Sequence, residues 1–370
     1  MSLLENNYNR SLKSFLKIDY YPENSLKKYL DLYLFEIFDT LNKSDYLQYL
    51  HNGNFTQNDI ERYTKHNLRA IINALTFDDK QFLLDAFEFV YRVYRSRKID
   101  LELMLKIYSA SINSAYRIFS IADAKAMEKI FIFLEKMHSQ LILDSEKPKT
   151  SLNPEDFFYN EQKKLYELVL ESKVEEATQF SFDFIQKHGL DTYTYQIMRI
   201  VMSQIGYDWE ENKITYAKEH LVSSLFENIL EKFLLPKNQE ESKKSSILIL
   251  TPPSEHHGSG AKALAKILNA NGMYTTLLES QRDIQSIISQ ITLDNPKILA
   301  ISVTLPNNLY EVNELIFEIK NHLSNINLKI AVGGQALEYL KEPSFSIGAD
   351  ACLHSPNEAL EIFSKWLGRS

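Results

Sequence analysis

The densest chemistry in this chain lies in Thr251-Pro252-Pro253-Ser254-Glu255-His256-His257-Gly258-Ser259-Gly260. Glu255 stands two residues before His257, and a carboxylate at that reach can take one ring N–H and fix the tautomer. The glycines that follow let backbone approach a ligand with no side chain in the way. Their spacing is not that of a dinucleotide fingerprint, and no Lys-Ser/Thr pair completes a phosphate-binding loop. Three more groups stand out: Ser302-Val303-Thr304, the pair Gly333-Gly334, and Trp209 followed after nine residues by Glu219-His220. Cys352 is the single cysteine, which excludes an intramolecular disulfide and any Cys-rich metal site.

The elements that must carry these residues follow from the hydropathy pattern. Beyond Ser246, short apolar runs at Ile247–Leu250, Tyr274–Leu278, Ile298–Ser302, Leu328–Val332 and Ala351–Leu353 alternate with amphipathic helical stretches. That alternation predicts an α/β, flavodoxin-like doubly wound parallel sheet, with a ligand at the C-terminal ends of its strands. Glu255–Gly260, Ser302–Thr304 and Gly333-Gly334 then fall at the ends of strands one, three and four. Upstream the pattern is helical. Of ten glycines only Gly53 precedes Gly189. Residues 1–145 predict an all-α domain of about six to eight helices. Asp144–Pro154 reads as a linker, Asn153-Pro154-Glu155-Asp156 as a helix start, and residues 155–235 as four helices broken at His188-Gly189 and Gly206. Pro236–Ser245 reads as a second linker. The resulting division is 1–145, a four-helix bundle over 155–238, and 246–370.

Composition removes several function classes. A net charge of −8 argues against a phosphate-binding surface and so against direct DNA binding. Mean hydropathy is −0.28, and no apolar run has membrane-spanning length. The N-terminal residues lack a signal-peptide layout, so a cytoplasmic location is expected.

Glu255-x-His257-x-x-Gly260 resembles the Asp-x-His-x-x-Gly motif of cobalamin-binding domains, and Ser302-Val303-Thr304 and the Gly pair fall where that family has its Ser-x-Leu and Gly-Gly elements. The resemblance implies that His257 is the lower axial ligand of cobalt, bound as neutral imidazole and oriented by Glu255. It implies that Ser302 bonds the nucleotide base displaced from cobalt, with Thr304 beside it. Gly260, Gly333 and Gly334 would let backbone line the nucleotide tail. Trp209-x(9)-Glu219-His220 resembles the pattern of adenosylcobalamin photoreceptors of the CarH-like type, in a helical cap similar to the one preceding the cobalamin domain of methionine synthase. By that resemblance Trp209 covers the adenosyl group, Glu219 and His220 meet its ribose and adenine, and Tyr216 tightens the upper pocket. Where those photoreceptors place a cobalt-capturing histidine after the tryptophan, this chain has Glu210.

CarH-like regulators carry a winged-helix domain upstream, but residues 1–145 show no strand-rich wing and no basic recognition helix. They resemble helical, globin-like sensor domains, and the architecture is similar to the photocobilins, which pair cobalamin with biliverdin. A non-covalent biliverdin with its propionates on Arg92, Arg95 and Arg97 is the expectation; haem on His51, His66 or His138 is the rival. The leading expectation is a non-enzymatic light sensor whose cobalt–carbon photolysis changes domain packing and oligomeric state, acting as a light-dependent homo-oligomer on a downstream protein. The alternative is a corrinoid carrier protein of a methyltransferase system, which shares His257, Ser302 and the glycines and does not need Trp209 with Glu219-His220.

Overall fold

The computed structural model describes residues 11–18, 22–41, 49, 56–233, 246–255, 257–278, 283–323, 327–340 and 347–369. The chain divides into two compact units, Met1–Lys149 with Glu210–Lys213, and Thr150–Trp209 with Ile214–Ser370.

The first unit is all helical where described: α1 Leu12–Leu16, α2 Glu23–Thr40, α3 Gln57–Thr76, α4 Lys80–Ser96, α5 Glu102–Ile118 and α6 Ile121–Ser145. Side-chain caps start three of them. Thr56 and Asp59 form a reciprocal capping box, Asp79 accepts from the N–H groups of Gln81 and Phe82, and Ser120 accepts from that of Asp123. On α4 the residues Phe82, Leu83, Phe87, Val90, Tyr91 and Tyr94 are buried at helical spacing. Tyr91 stays inside with its hydroxyl partnered: its Oη lies 2.7 Å from His138 Nδ1 and 3.2 Å from Tyr108 Oη. Helix α6 runs to Ser145, so Asp144 closes a helix, accepting from Gln140 one turn back, and the linker starts later than the sequence suggests.

Of the three histidines considered for haem, His51 lies outside the described residues. Burial and the neighbouring Arg69 push His66 down to about 4, so its ring is neutral, and it packs 5.1 Å from the Phe89 ring. His138 gives its Nδ1 to Tyr91.

The arginines proposed for a bilin are committed to carboxylates and carbonyls. Arg92, 1% exposed, bonds Glu88 at 2.7 Å and Glu211 at 2.9 Å, and also donates to the carbonyls of Lys147 and Asp144. Arg95 bonds both oxygens of Glu211, while Arg97 donates to the carbonyls of Val93 and Glu210. Glu210 is placed differently: its buried Oε2 makes no hydrogen bond and stands 3.6 Å from Arg92 Nε. Burial pushes its carboxyl up to about 7, against the pull of Lys149 and Arg92.

A carboxyl whose folded pKa is raised contributes stability that is full below its unfolded value, 4.5, and lost as pH rises through about 7. His66 works the opposite way, but only between about 4 and 6.5. Between pH 6.5 and about 8, therefore, the urea midpoint should fall with rising pH, the raised pKa of His257 adding to the fall, and Glu210→Gln should flatten part of that slope. Equal slopes in the two proteins would remove Glu210 as the cause.

The second unit opens with helices α7 Tyr159–Leu170 and α8 Val174–His188, then a π-helical stretch Tyr193–Met198 leading into α9 Arg199–Glu210, and α10 Tyr216–Phe233. Residues 153–158 form turns, so the first helix opens at Tyr159 and not at the Pro154 signal. The chain does break at Gly189, whose φ is 91°. It does not break at Gly206, which lies inside α9; the break falls at residues 211–215, where Asn212 takes a left-handed φ of 55°. A lone glycine costs a helix only about 1 kcal/mol, and the burial of Val201, Ile205 and Asp208 around it outweighs that. The linker Pro236–Ser245 lies outside the described residues.

A five-stranded parallel sheet follows, in the order β2-β1-β3-β4-β5: β1 Ile247–Leu250, β2 Thr275–Leu277, β3 Ile298–Ser302, β4 Lys329–Gly333 and β5 Ala351–Leu353. Helices α11 Ser259–Ala270, α12 Ile284–Asp294, α13 Leu309–His322 and α14 Pro356–Trp366 alternate with them. β1 and β3 are buried along their whole length, as strands covered on both faces must be. This is the flavodoxin-like order, whose switch point lies between β1 and β3. Among the described residues, no helix is long and apolar enough to cross a membrane.

Candidate functional site

The turn from β1 to α11 is built around Glu255, which has no exposed surface. Its Oε1 accepts from the His257 backbone N–H at 3.0 Å and faces His257 Nδ1 at 2.8 Å. Its Oε2 accepts from the N–H groups of Thr304 and Leu305 and from Asn308 Nδ2, at 3.0, 2.9 and 3.1 Å. One carboxylate therefore ties the β1 turn to the β3 turn across the switch point. Burial opposes its charge, but the bonds from His257 and Leu305 prevail and hold the carboxyl below its ordinary range. Ser254 adds a second tie, donating its N–H to Glu311 at 3.0 Å.

His257 is positioned by that hub. A carboxylate only accepts, so the ring proton belongs on Nδ1 and Nε2 keeps its lone pair. The side chain is 42% exposed, leaving the ring accessible. Its hydrogen bond to Glu255 raises its pKa above the ordinary histidine value, against burial, and the Glu219 charge adds to the effect. A ring made more basic in this way is a better metal donor once neutral.

Ser302, 8% exposed, ends β3 beside Gly333 of β4. A Cβ on Gly260 would lie 3.2 Å from Ser302 Oγ, so the first turn of α11 and the end of β3 meet closely. Gly334 turns the chain out of β4 at φ 115°. The sequence-predicted residues Glu255, His257, Gly260, Ser302, Thr304, Gly333 and Gly334 are thus gathered at one end of the sheet. The donors Leu305 and Asn308 escaped sequence reasoning; the polar run Pro306-Asn307-Asn308 after the strand was the only signal for them.

The helical part of this unit brings its own residues to the sheet. Thr215 caps α10 by accepting from the Lys218 N–H, which puts Glu219 and His220 in the first turns. Glu219 accepts from Ser223 at 3.0 Å and acts electrostatically on His257. The Tyr216 and His220 rings meet edge-on at 4.1 Å, with Tyr216 59% exposed. Trp209 lies in the last turn of α9, one residue past Asp208, which is buried and accepts from Tyr166 at 2.6 Å. Two ion pairs join helices to the sheet domain, Glu227 with Lys262 and Arg199 with Glu338, both at 2.8 Å. Neither was expected from the sequence, because each partner is an ordinary surface charge.

A corrinoid fits these residues on two observations of the protein itself. His257 presents an oriented ring with Nε2 as its basic nitrogen, and Gly260 opposite Ser302 keeps a narrow space that a larger side chain would fill. No cluster of three or more His, Cys, Asp or Glu able to hold a metal ion occurs among the described residues.

Residues 245–364 match the model of the B12 binding domain. Solved structures similar to the chain include the monomethylamine corrinoid protein of Methanosarcina barkeri, at 15% identity and a TM-score of 0.46, covering 56% of this chain and 99% of that one. A cobalamin-binding protein from Desulfitobacterium hafniense gives 16% and 0.31, covering 55% and 98%. The methanol:cobalamin methyltransferase complex of Methanosarcina barkeri gives 15% and 0.27, covering 63% and 96%. No curated protein matches the chain.

Proposed function

We propose that this protein holds a cobalamin at the C-terminal end of its sheet with His257 beneath cobalt. The observation that carries the reading is the Glu255–His257 pair on the β1 turn, within the segment matched to the B12 binding domain. Glu255 keeps the proton on Nδ1, and His257 presents Nε2. Ser302, whose Oγ would lie 3.2 Å from a Cβ on Gly260, offers a hydroxyl to the nucleotide base. Thr304 serves through its backbone N–H, which fixes Glu255. Bound cobalamin supplies a cobalt–carbon bond that either passes an alkyl group to a partner or breaks under visible light.

Of these two uses, the corrinoid carrier of a methyltransferase system requires only this shared set of residues, and we place it first. The adenosylcobalamin light sensor is favoured by one specific observation, the placement of Glu219 and His220 at the start of α10 with Glu219 acting on His257. Glu210 weighs against a sensor that recaptures cobalt through the residue after Trp209, since its carboxyl is buried beside Arg92. A bilin in the helical unit has no support from Arg92, Arg95 and Arg97, which already donate to Glu211 and to the Glu210 carbonyl.

The test is to load the purified protein in the dark with methyl-, adenosyl- or hydroxocobalamin, with and without biliverdin, and to record spectra before and after green light. His257→Ala should abolish the histidine-ligated spectrum, and an unchanged spectrum would exclude the axial assignment. Preferential retention of the methyl form supports the carrier. Retention of the adenosyl form with bleaching in light supports the sensor, and a red-absorbing band would restore the bilin.

A further inference from the structure

One cleft of the second unit shares no residue with the Glu255–His257 site. Its volume is about 330 Å³, and three separate stretches of that unit wall it: the turn ahead of α7, the chain around the π-helical stretch, and the start of α14 beyond β5. That volume is at the small end of the range for small-molecule pockets. A π-helical turn is rare and recurs at functional sites. Here residues 193–198 carry Tyr195 to the cleft, and Asp191 reaches it from just ahead of them.

The walls are aromatic and bear one sign of charge. Phe157 and Phe158 meet edge-on at 4.8 Å, and Phe158 is braced by Phe184 at 5.2 Å. Phe157 is 91% exposed, so its ring is held almost wholly in water beside the cleft. Asp191 alone among the lining residues has a charged side chain, and its carboxylate has no ion-pair partner among the described residues. Gly189 leaves room for that carboxylate, since a Cβ there would lie 2.8 Å from Asp191 Oδ1. Tyr195 already takes a cation on its ring: Arg199 lies over it at 4.6 Å, its charge balanced by Glu338 at 2.8 Å.

The start of α14 does not reverse this polarity. Its first residue, Pro356, has no N–H, and the Glu358 N–H is spent on Ser355 Oγ at 3.2 Å. Glu358 also accepts from the His354 N–H at 2.7 Å, which sets a second carboxylate at that helix end. An anion would meet negative charge and few free donors, whereas a cation meets a carboxylate and aromatic rings.

We infer that this cleft binds a compact organic cation of the alkylammonium class, with Asp191 as counter-charge and Phe157, Phe158 and Tyr195 as its apolar, cation-accepting surface. The inference depends neither on His257 nor on either use of a cobalamin. Methyl groups spread the charge of such a nitrogen over an apolar surface that rings can cover, which bare ammonium lacks.

The test titrates the protein with tetramethylammonium, neutral tert-butanol and anionic pivalate, three probes with a similar branched head, at constant ionic strength, read by saturation-transfer NMR. Tetramethylammonium should bind at least about tenfold more tightly than tert-butanol, and pivalate should not compete with it. Asp191→Asn should weaken the cation about tenfold and leave the alcohol within about twofold. Phe157→Ala changes a ring that lies in water, so the core is untouched, and it should weaken the cation about threefold. Equal affinity for cation and alcohol would reduce the cleft to an apolar hollow and overturn the inference. So would preference for pivalate, wild-type affinity in Asp191→Asn, or no binding of tetramethylammonium up to about 50 mM.

Discussion

Glu255→Gln should leave most of the fold intact and still reduce cobalamin retention by about 10- to 100-fold. The reasoning rests on which oxygen serves which partner. Oε2 accepts from Thr304, Leu305 and Asn308, three donors that demand an oxygen at that position. A glutamine will therefore place its carbonyl there and its NH2 where Oε1 faced His257. An amide N–H cannot accept from the ring, so Nδ1 must become the acceptor and the proton must move to Nε2, the nitrogen needed for cobalt. The His257 backbone N–H, which donates to Oε1 at 3.0 Å, loses its acceptor as well. Glu255→Ala removes the hub altogether and should destabilise the protein by about 3–5 kcal/mol, because several buried donors lose their partner together. Equilibrium dialysis with hydroxocobalamin reads the first effect and urea denaturation the second. Wild-type retention by the Gln variant would show that Glu255 does not set the tautomer.

The sheet was legible in advance because its signal is redundant. Short β-branched runs, helical spacers and turn residues all point to the same order, and β1, β3 and β5 lie within the apolar runs that announce them. The Glu255–His257 contact was legible too, since two residues in one turn have little freedom to miss each other. Glycine was a poorer guide in the helical half, where Gly206 marks nothing and the true break at 211–215 contains no glycine. That loop is set by Arg92, Arg95 and Ser96, all more than a hundred residues away in sequence, and no local pattern reports such a partner. The same cause turned the arginine cluster from an expected anion clamp into an internal tie. The second face of Glu255 was hidden for a related reason: three of its donors lie about fifty residues downstream, two of them backbone groups carrying no residue-type signature.

Two glycine substitutions should give opposite results, and the contrast separates conformational need from mere absence of a side chain. Gly334 sits at φ 115°, where only glycine is at ease, and a Cβ built there would lie 2.2 Å from the Val303 carbonyl oxygen and 2.8 Å from its carbon. Those atoms are backbone and cannot rotate away. Val303 is itself pinned, donating its N–H to the Gly333 carbonyl at 2.9 Å and accepting from Ala336 at 3.3 Å. Gly334→Ala should therefore cost about 3 kcal/mol or more. At Gly206, inside α9, nothing lies within 4 Å of the added methyl, and Gly206→Ala should stabilise by about 1 kcal/mol. Urea midpoints of the two variants against wild type measure both signs. Gly334 has a further consequence, since the 3₁₀ turn that follows it carries Gln335 and Glu338, which bond Ser203 and Arg199 of α9. A turn forced off its path should loosen α9 from the sheet domain, so Gly334→Ala should weaken cobalamin binding even at urea-free, fully folded conditions. Unaltered cobalamin binding together with the stability loss would confine Gly334 to folding and separate the β4 turn from the site.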